Sequence, residues 1–126
     1  MTRGGEDAVR VVNRTRGILL GDKVRTASTF LSRLVGLLGT DAIAEGEGLW
    51  IVPCRSVHTL GMRYPIDVVF LDARGVVVGI LQGLPPNRVG RVVRDARGAL
   101  ELRAGTLAAT GTAPGDRLEF EGGGPA

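Results

Sequence analysis

The sequence is poor in cysteine and aromatic residues, and each shortage narrows the class of protein. A single cysteine among 126 residues cannot form an internal disulfide, so nothing indicates an oxidising compartment. Aromatic residues make up 4% of the chain, which leaves Val, Leu, Ile and Ala to fill the core. No apolar run approaches the ~20 residues of a membrane span, and residues 1–13 lack the apolar segment of a signal peptide. We therefore expect a soluble, cytoplasmic protein without membrane contact.

Lysine is also scarce, and arginine carries almost all of the positive charge. The net charge is +3, and Lys23 is the only lysine. Four arginines recur at every third position, namely Arg88, Arg91, Arg94 and Arg97. Such a run can contact phosphates, but a charge of +3 attracts nucleic acid weakly, and no aromatic side chain lies between the arginines to stack on bases. A solvated edge is the favoured interpretation, and a nucleic-acid or protein interaction surface is the alternative.

The patterning predicts one mainly β domain. The length allows a single core, and 20 glycines with six prolines indicate many turns. Apolar or alternating runs predict strands at 8–13, 18–24, 49–52, 66–71, 76–81, 99–103 and 117–121. Apolar residues at helical spacing predict an α-helix over Thr26–Leu38, and a short helical segment follows at 105–110. We expect a compact β-sandwich or barrel-like domain over residues 8–121, with disordered tails at 1–7 and 122–126.

The stretch Val52–Asp72 combines strand signals with the most reactive side chains. It holds the only cysteine, Cys54, and the only histidine, His58. Their spacing of four positions is about one turn on a helix but roughly 13 Å on a strand. A catalytic Cys–His pair therefore requires residues 55–57 to turn. A structural cysteine is the favoured interpretation, and a catalytic thiol is the alternative.

Metal binding is a second chemical possibility for this stretch. Cys54, His58 and one carboxylate could ligate zinc. The sequence has no second histidine or cysteine, so the set of ligands is thin. We therefore expect no metal ion and no other cofactor, with His58 hydrogen-bonded to a neighbour such as Thr59.

Asp67 is the most informative residue because it interrupts an apolar strand. In Ile66–Leu71 it shares a face with Val69 and Leu71, and a carboxylate in this setting is costly unless it is paired or hydrogen-bonded. The possible partners are Arg33, Arg55, Arg63, His58 and Thr59. Both a buried structural bridge and an anchor in a ligand pocket fit the pattern. Met62 is interpreted as core or as pocket lining.

Glu101 poses the same question in the alternating strand at 99–103. Leu100 and Leu102 face one way there, and Glu101 faces the other. If this strand lies beside the central hairpin, Glu101 and Asp67 can share one mouth, which would suit a cationic or hydroxylated ligand. A solvated ion pair between Glu101 and an arginine on a neighbouring strand is the alternative.

Four motifs occur in an order that resembles a known family. They are R-L-V-G-L-L-G (33–39), P-C-R-S-V-H-T-L-G-M-R-Y-P-I-D-V-V-F-L-D (53–72), L-E-L-R-A-G-T (100–106) and G-D-R-L (115–118). Together they resemble the DUF192 family, also called UPF0127, over about residues 10–120. The resemblance implies a mainly β sandwich or barrel with a short helix, and an activity that is uncharacterised.

The chain departs from the family pattern within the central motif. Many members carry W-M-K-N-T where this chain has H-T-L-G-M at 58–62. His58 and Gly61 therefore replace a tryptophan and an asparagine, and the roles of those family side chains do not transfer. Many relatives also carry an export signal, which this sequence is predicted to lack.

Three hypotheses about function follow. The first is a small β-domain that binds a small polar molecule, such as a sugar or other polyol, in a pocket around His58 and Asp67. The second is a hydrolase-type enzyme that uses Cys54 or His58, and the third is an interaction module that uses the Arg88–Arg97 edge. The candidate ligand-binding residues are Arg33, Cys54, Arg55, His58, Thr59, Met62, Arg63, Asp67 and Glu101. No particular oligomeric state is indicated.

Overall fold

The apolar and alternating runs of the sequence form the strands of one curled sheet. The computed structural model describes residues 8–27 and 42–122. In chain order the elements are β1 (Val9–Asn13), β2 (Ile18–Ala27), β3 (Glu47–Ile51), β4 (Ile66–Leu71), β5 (Val77–Leu84), β6 (Gly98–Arg103), helix α1 (Thr106–Thr110) and β7 (Leu118–Glu121).

The seven strands join in the order β5-β4-β6-β3-β2-β1-β7. All neighbours are antiparallel except β2 and β3, which are parallel. The two ends of the sheet meet, because Val76 pairs with Arg117 in an isolated bridge and Leu118 N donates to Gly75 O at 2.9 Å. The result is a half-barrel, which confirms the predicted mainly β, barrel-like fold.

The turn between β4 and β5 brings the two ends of the sheet together. Asp72 Oδ1 accepts hydrogen bonds from the main-chain N–H groups of Arg74 at 2.8 Å and Val76 at 3.0 Å. Gly75 has a φ of +84°, and a Cβ at this position would lie 2.7 Å from Leu118 O. Glycine is therefore required both for the turn conformation and for the close approach of β7.

The start of the predicted helix Thr26–Leu38 is strand. Its first two residues continue β2 and pair with Trp50 and Ile51 of β3. The rest of that predicted helix lies outside the described residues, as do residues 1–7 and 123–126 of the predicted tails.

The second predicted helical segment, at 105–110, is confirmed as α1. It lies between Gly105 and Gly111, which both have positive φ. Within residues 8–27 and 42–122, no helix is long and apolar enough to cross a membrane.

The sheet is buried on both faces, so the core has two layers. The inner layer, within the curl, comprises Val9, Val11, Leu20, Val24, Trp50, Val52, Val69, Leu71, Val77, Leu100, Leu102, Leu107 and Leu118. The outer layer comprises Ala27, Ile43, Leu49, Ile51, Val57, Met62, Ile66, Val68, Phe70, Val93, Ala96 and Ala99. Alternate residues of β4 enter both layers, which explains why the whole strand is buried and almost uniformly apolar.

Candidate functional site

Two loops cover the outer face of the sheet and carry most of the candidate residues. Residues 52–65 join β3 to β4, and residues 85–97 join β5 to β6. Main-chain bonds of 2.8 to 2.9 Å tie the loops together, among them Thr59 N to Arg88 O, Gly90 N to Val57 O and Val93 N to Arg55 O. We call this paired unit the loop platform.

Cys54, which is half-buried, and His58, which is exposed, each have a main-chain partner in the loop platform. Cys54 Sγ donates to Ser56 O at 3.0 Å, and His58 Nδ1 accepts from Leu60 N at 3.3 Å. Both of these hydrogen bonds go to the main chain rather than to the other side chain. Among the described residues, no group of three His, Cys, Asp or Glu side chains could hold a metal ion. The geometry therefore favours a structural cysteine over the catalytic pair.

Thr59 and Met62 hold the loop platform in place. Thr59 is completely buried, and its Oγ1 donates to Pro85 O at 2.5 Å and accepts from Arg88 N at 2.9 Å. Met62 is buried in the outer layer of the core. Both side chains are therefore used by the fold.

Two of the three candidate arginines can be placed relative to Asp67. Arg55 and Arg63 are exposed on the loop platform, and Arg33 lies outside the described residues. The Arg55 carbonyl oxygen accepts a hydrogen bond from Val93 N at 2.8 Å. Within the described part of the chain, every hydrogen bond to the Asp67 carboxylate comes from the main chain.

Asp67 is a buried carboxylate of the inner face, with 1% of its surface exposed. Its Oδ1 accepts from Gly83 N at 2.8 Å, and its Oδ2 accepts from Gly105 N at 3.1 Å and Leu107 N at 2.9 Å. Gly105 and Leu107 stand at the N-terminus of α1, so the carboxylate caps the orphan donors of that helix. The described hydrogen bonds of Asp67 thus come from main-chain groups that are distant in sequence, and they give this carboxylate a structural role.

Glu101 faces away from Asp67. In the antiparallel pair of β4 and β6, Asp67 lies opposite Leu102, and Val68 lies opposite Glu101. Residues opposite each other share a face, so Asp67 faces the inner layer and Glu101 faces the outer layer. The prediction that the two carboxylates share one mouth is wrong. Alternation places each residue within its own strand, but the register between two distant strands depends on tertiary pairing.

The Glu101 carboxylate is buried without a partner among the described residues. Its exposed fraction is 4%, and its neighbours across the sheet are Leu49 and Val68. Removal from water disfavours the charged form and raises the pKa of Glu101 to about 7. Glu101 is therefore not the solvated ion pair considered as the alternative.

A cavity of about 310 Å³ opens where β7 meets the β4–β5 turn. Its wall comprises Trp50, Leu71, Asp72, Ala73, Arg74, Gly75, Arg97, Leu118, Glu119 and Phe120. The volume lies near the lower end of the range for small-molecule sites, about 300–1,000 Å³. None of the candidate ligand-binding residues predicted from the sequence belongs to this wall, although Arg97 of the predicted arginine edge does.

Trp50 gives the cavity wall an aromatic surface and an unsatisfied donor. Its ring centroid lies 5.1 Å from that of Phe120, with the planes inclined at 56°. The indole Nε1 is buried without a hydrogen-bond partner among the described residues, and such a donor costs on the order of 1–3 kcal/mol. Gly98 allows the ring to lie against the main chain, because a Cβ there would be 2.4 Å from Trp50 Cη2. In the sequence, the one sign of this site is the single tryptophan in an apolar strand, because a buried tryptophan N–H usually needs a hydrogen-bond acceptor.

The two carboxylates of the cavity wall already have partners. Burial alone would raise the pKa of Asp72, but hydrogen bonds from Val76 N, Arg74 N and the Arg74 guanidinium outweigh burial and hold that pKa below its usual value. Glu119 Oε1 accepts from Arg14 Nε at 2.5 Å. These acids therefore do not define a cation site.

A third polar cluster is buried at the β1–β2 turn. Asn13 Nδ2 donates to Thr112 Oγ1 at 3.1 Å and to Asp116 Oδ2 at 2.9 Å. Burial raises the pKa of Asp116, but hydrogen bonds from Arg16, Asn13 and Ala113 N outweigh it, so the pKa lies below its usual value. Because its groups are satisfied by one another, the cluster stabilises the turn and offers no open chemistry.

The described residues form a single-domain β half-barrel, in which two loops cover the outer face and a small cavity lies at one end. The motifs quoted above and the comparison with known families agree on its relatives. The chain belongs to the DUF192 family, described as an uncharacterised ACR, whose family model matches residues 11–120.

Two curated relatives belong to the same group, which is also called UPF0127. The chain is 33% identical over 115 residues to a UPF0127 protein of Pyrococcus furiosus, covering 87% of this chain and 97% of that protein. It is 28% identical over 116 residues to a UPF0127 protein of Thermococcus sibiricus, covering 88% of this chain and 74% of that protein. The similarity thus extends over most of the domain.

Two solved structures share the fold. A candidate transcription regulator of Sinorhizobium meliloti superposes with a TM-score of 0.76 at 26% identity, covering 89% of this chain and 91% of that one. A protein of unknown function from Novosphingobium aromaticivorans superposes with a TM-score of 0.71 at 20% identity, covering 94% and 98% of the two chains. The half-barrel therefore occurs in proteins with dissimilar sequences.

Proposed function

We propose that this protein binds a small polar ligand in the cavity between β7 and the β4–β5 turn. The observation that carries the proposal is Trp50, a residue of the cavity wall whose buried indole N–H has no acceptor among the described residues. A ligand oxygen that accepted from this N–H would remove the cost of leaving it unpaired. Mouths of β-barrels are also common places for small-molecule sites.

The wall favours a ligand with both a flat apolar face and oxygen acceptors. Trp50 and Phe120 supply ring surface, and Leu71 and Leu118 supply apolar edges. Arg97 adds a guanidinium, which donates to oxygen and accepts from nothing. Sugars, cyclic polyols and their carboxylic acids combine these features, so they form the proposed ligand class.

This proposal moves the ligand away from the pocket expected around His58 and Asp67. Three main-chain donors already use the Asp67 carboxylate, and that side chain is 1% exposed. His58 is exposed on the loop platform and does not belong to the cavity wall. A ligand that depended on these two side chains would have to displace bonds that hold α1.

The test is a titration of sugars, polyols and sugar acids that follows both the melting temperature and the emission of Trp50. Because Trp50 is the only tryptophan, its fluorescence reports on the cavity wall directly. We expect at least one compound of this class to raise the melting temperature and change the emission together. Ala73→Phe, which fills the cavity from an exposed turn, should weaken binding at least about tenfold.

Two control variants make the result decisive. Ala108→Phe adds the same ring to the exposed side of α1 and should leave binding unchanged. His58→Ala should also leave it unchanged. The proposal is overturned if no compound of the class binds, or if His58→Ala abolishes binding that Ala73→Phe leaves intact.

The cytoplasmic location remains a prediction from the sequence. Cell fractionation that follows the natural protein tests it directly. Recovery in the membrane or extracellular fraction would contradict it.

A further inference from the structure

We infer that the loop platform is a docking surface for an acidic protein segment that carries apolar side chains. The inference does not depend on the cavity proposed above, because the side chains that carry it do not belong to the cavity wall, and Arg97 alone is common to the two regions. It rests on exposed apolar side chains, unpaired arginines and a rigid pair of loops. Each of these features is seen within residues 8–27 and 42–122.

Three large apolar side chains of the loop platform face water. The exposed fractions are 47% for Leu60, 73% for Val89 and 62% for Val92, the last two being the highest among the exposed large hydrophobic residues of the described chain. His58 and Val89 form an isolated antiparallel bridge, so their side chains share one side of the loops. Val57 and Thr59, which alternate with His58, are buried and turn inward. His58, Leu60 and Val89 therefore belong to the outward side.

Arginines lie next to these apolar side chains along the loops. The exposed arginines of the loop platform that form no ion pair within residues 8–27 and 42–122 are Arg55, Arg88, Arg91 and Arg94. Elsewhere in the described chain, Arg14 pairs with Glu119 and Arg16 pairs with Asp116. Asp95 is the one acidic residue between positions 85 and 97. The surface thus offers guanidinium groups that match carboxylates in geometry and charge.

The loop platform is ordered before any partner arrives. Thr59 Oγ1 bonds to both Pro85 O and Arg88 N, and the Asn87 side chain accepts from Gly61 N at 3.0 Å. Cys54 N donates to Arg97 O at 2.9 Å at the other end of the paired loops. A surface held in this way loses little conformational entropy on binding.

The mixture of groups selects the partner class. Nucleic acid would use the arginines but would leave Leu60, Val89 and Val92 without a matching apolar surface. An anionic membrane surface usually engages aromatic side chains as well. A peptide that alternates carboxylates with aliphatic side chains matches both the charge and the apolar surface.

The experiment measures binding of the full chain to four probes by fluorescence anisotropy or vesicle sedimentation. The probes are a fluorescein-labelled peptide of alternating glutamate and leucine, a glutamate–serine peptide of equal length and charge, a single-stranded oligonucleotide, and vesicles that contain phosphatidylserine. We expect the glutamate–leucine peptide to bind at least about tenfold more tightly than the glutamate–serine peptide. Arg88→Ser with Arg91→Ser should weaken binding of both peptides and reduce the dependence on salt.

A matched pair of double variants distinguishes binding at this surface from non-specific hydrophobic binding. Val89→Ser with Val92→Ser should cost about tenfold in affinity for the glutamate–leucine peptide only. Ile18→Ser with Leu19→Ser, on the exposed start of β2, removes similar apolar side chains and should change neither affinity. Unchanged melting temperatures verify the fold of each variant.

Four results would overturn the inference. They are absence of peptide binding, equal binding of the two peptides, an equal loss in the β2 control, and tighter binding to the oligonucleotide or the vesicles than to the glutamate–leucine peptide.

Discussion

The two buried carboxylates of the central strands lie on opposite faces of one strand pair, and they differ in their hydrogen bonding. Asp67, on the inner face, accepts three hydrogen bonds from Gly83, Gly105 and Leu107. Glu101, on the outer face, has apolar neighbours across both adjoining strands and no partner among the described residues. Their exposed fractions, 1% and 4%, are nearly the same. Burial alone therefore does not tell whether a carboxylate stabilises a fold.

The difference lies in the donors that surround each group. The N-terminus of α1 brings otherwise unpaired N–H groups to Asp67, so carboxylate and helix satisfy each other. No such segment among the described residues reaches Glu101, and its charge is disfavoured by desolvation alone. Asp67 should stabilise the protein at neutral pH, and Glu101 should destabilise it.

Replacing Asp67 by alanine should produce the greatest loss of stability. Asp67→Ala leaves three main-chain donors without this acceptor, one of them buried and two part-buried, at a cost on the order of 4 kcal/mol in the free energy of unfolding. Urea denaturation at about pH 6 measures the change. Glu101→Ala, made in the paired strand, should cost much less, and an equal cost would end the distinction between the two faces.

Replacing Glu101 by glutamine should change how stability depends on pH. The folded-state pKa of about 7 exceeds the ordinary 4.5, so this carboxyl favours folding below the lower value, and the benefit is lost as pH rises through 7. Full ionisation corresponds to on the order of 3 kcal/mol. Glu101→Gln should remove this loss, so that the variant exceeds the wild type in stability at about pH 8 but not at about pH 5.

Denaturant titrations across this pH range provide the measurement. Asp67→Asn serves as the comparison, because it should lower stability without removing the loss between pH 5 and pH 8. Parallel pH profiles for the wild type and Glu101→Gln would mean that Glu101 is charged and compensated in the folded state.

A smaller effect is expected at the third buried polar cluster. Asn13→Ala removes the donor to Thr112 and Asp116, yet Asp116 keeps Arg16 and Ala113 N as partners. The loss should be about 1–2 kcal/mol. The lowered pKa of Asp116 stabilises the fold at pH values above the ordinary pKa of an aspartate, and this stabilisation is lost as the pH falls through the lowered value. Without the Asn13 donor the pKa should be lowered less, so the variant should lose stability at a higher pH on acidification.

Thermal unfolding at neutral and acidic pH tests this third effect. Arg14→Ala provides the control, since it breaks only exposed pairs with Glu119 and Glu121 and should leave the melting temperature unchanged. A loss of stability as large as that of Asp67→Ala would show that the two donors left to Asp116, Arg16 and Ala113 N, are not enough to stabilise the buried carboxylate.

Several elements were readable from local pattern because their causes are local. The run from Ile66 to Leu71 is a strand as predicted. Residues 105–110 contain the predicted short helix. The end of β2 was misread, because Thr26 and Ala27 are held by parallel pairing with β3, a contact that no local propensity encodes.

The candidate site shows what the sequence pattern could not predict. Burial of Asp67 was expected from its apolar neighbours, and burial is found. Its partners were sought among side chains, whereas the donors are main-chain N–H groups as much as 40 positions away. Trp50 was read as part of an apolar strand, and its unpaired N–H became visible only with the surrounding groups in place.

The order of residues by itself determined the β class, the family and the positions of most strands, since alternation, turn residues and motifs act over a few positions. Only the tertiary structure decided which face each carboxylate occupies, which donors reach it, and where a cavity remains. These properties arise from the pairing of strands that are distant in sequence and from the meeting of β7 with the β4–β5 turn. Such contacts depend on the whole chain packing at once, so no single stretch of sequence specifies them.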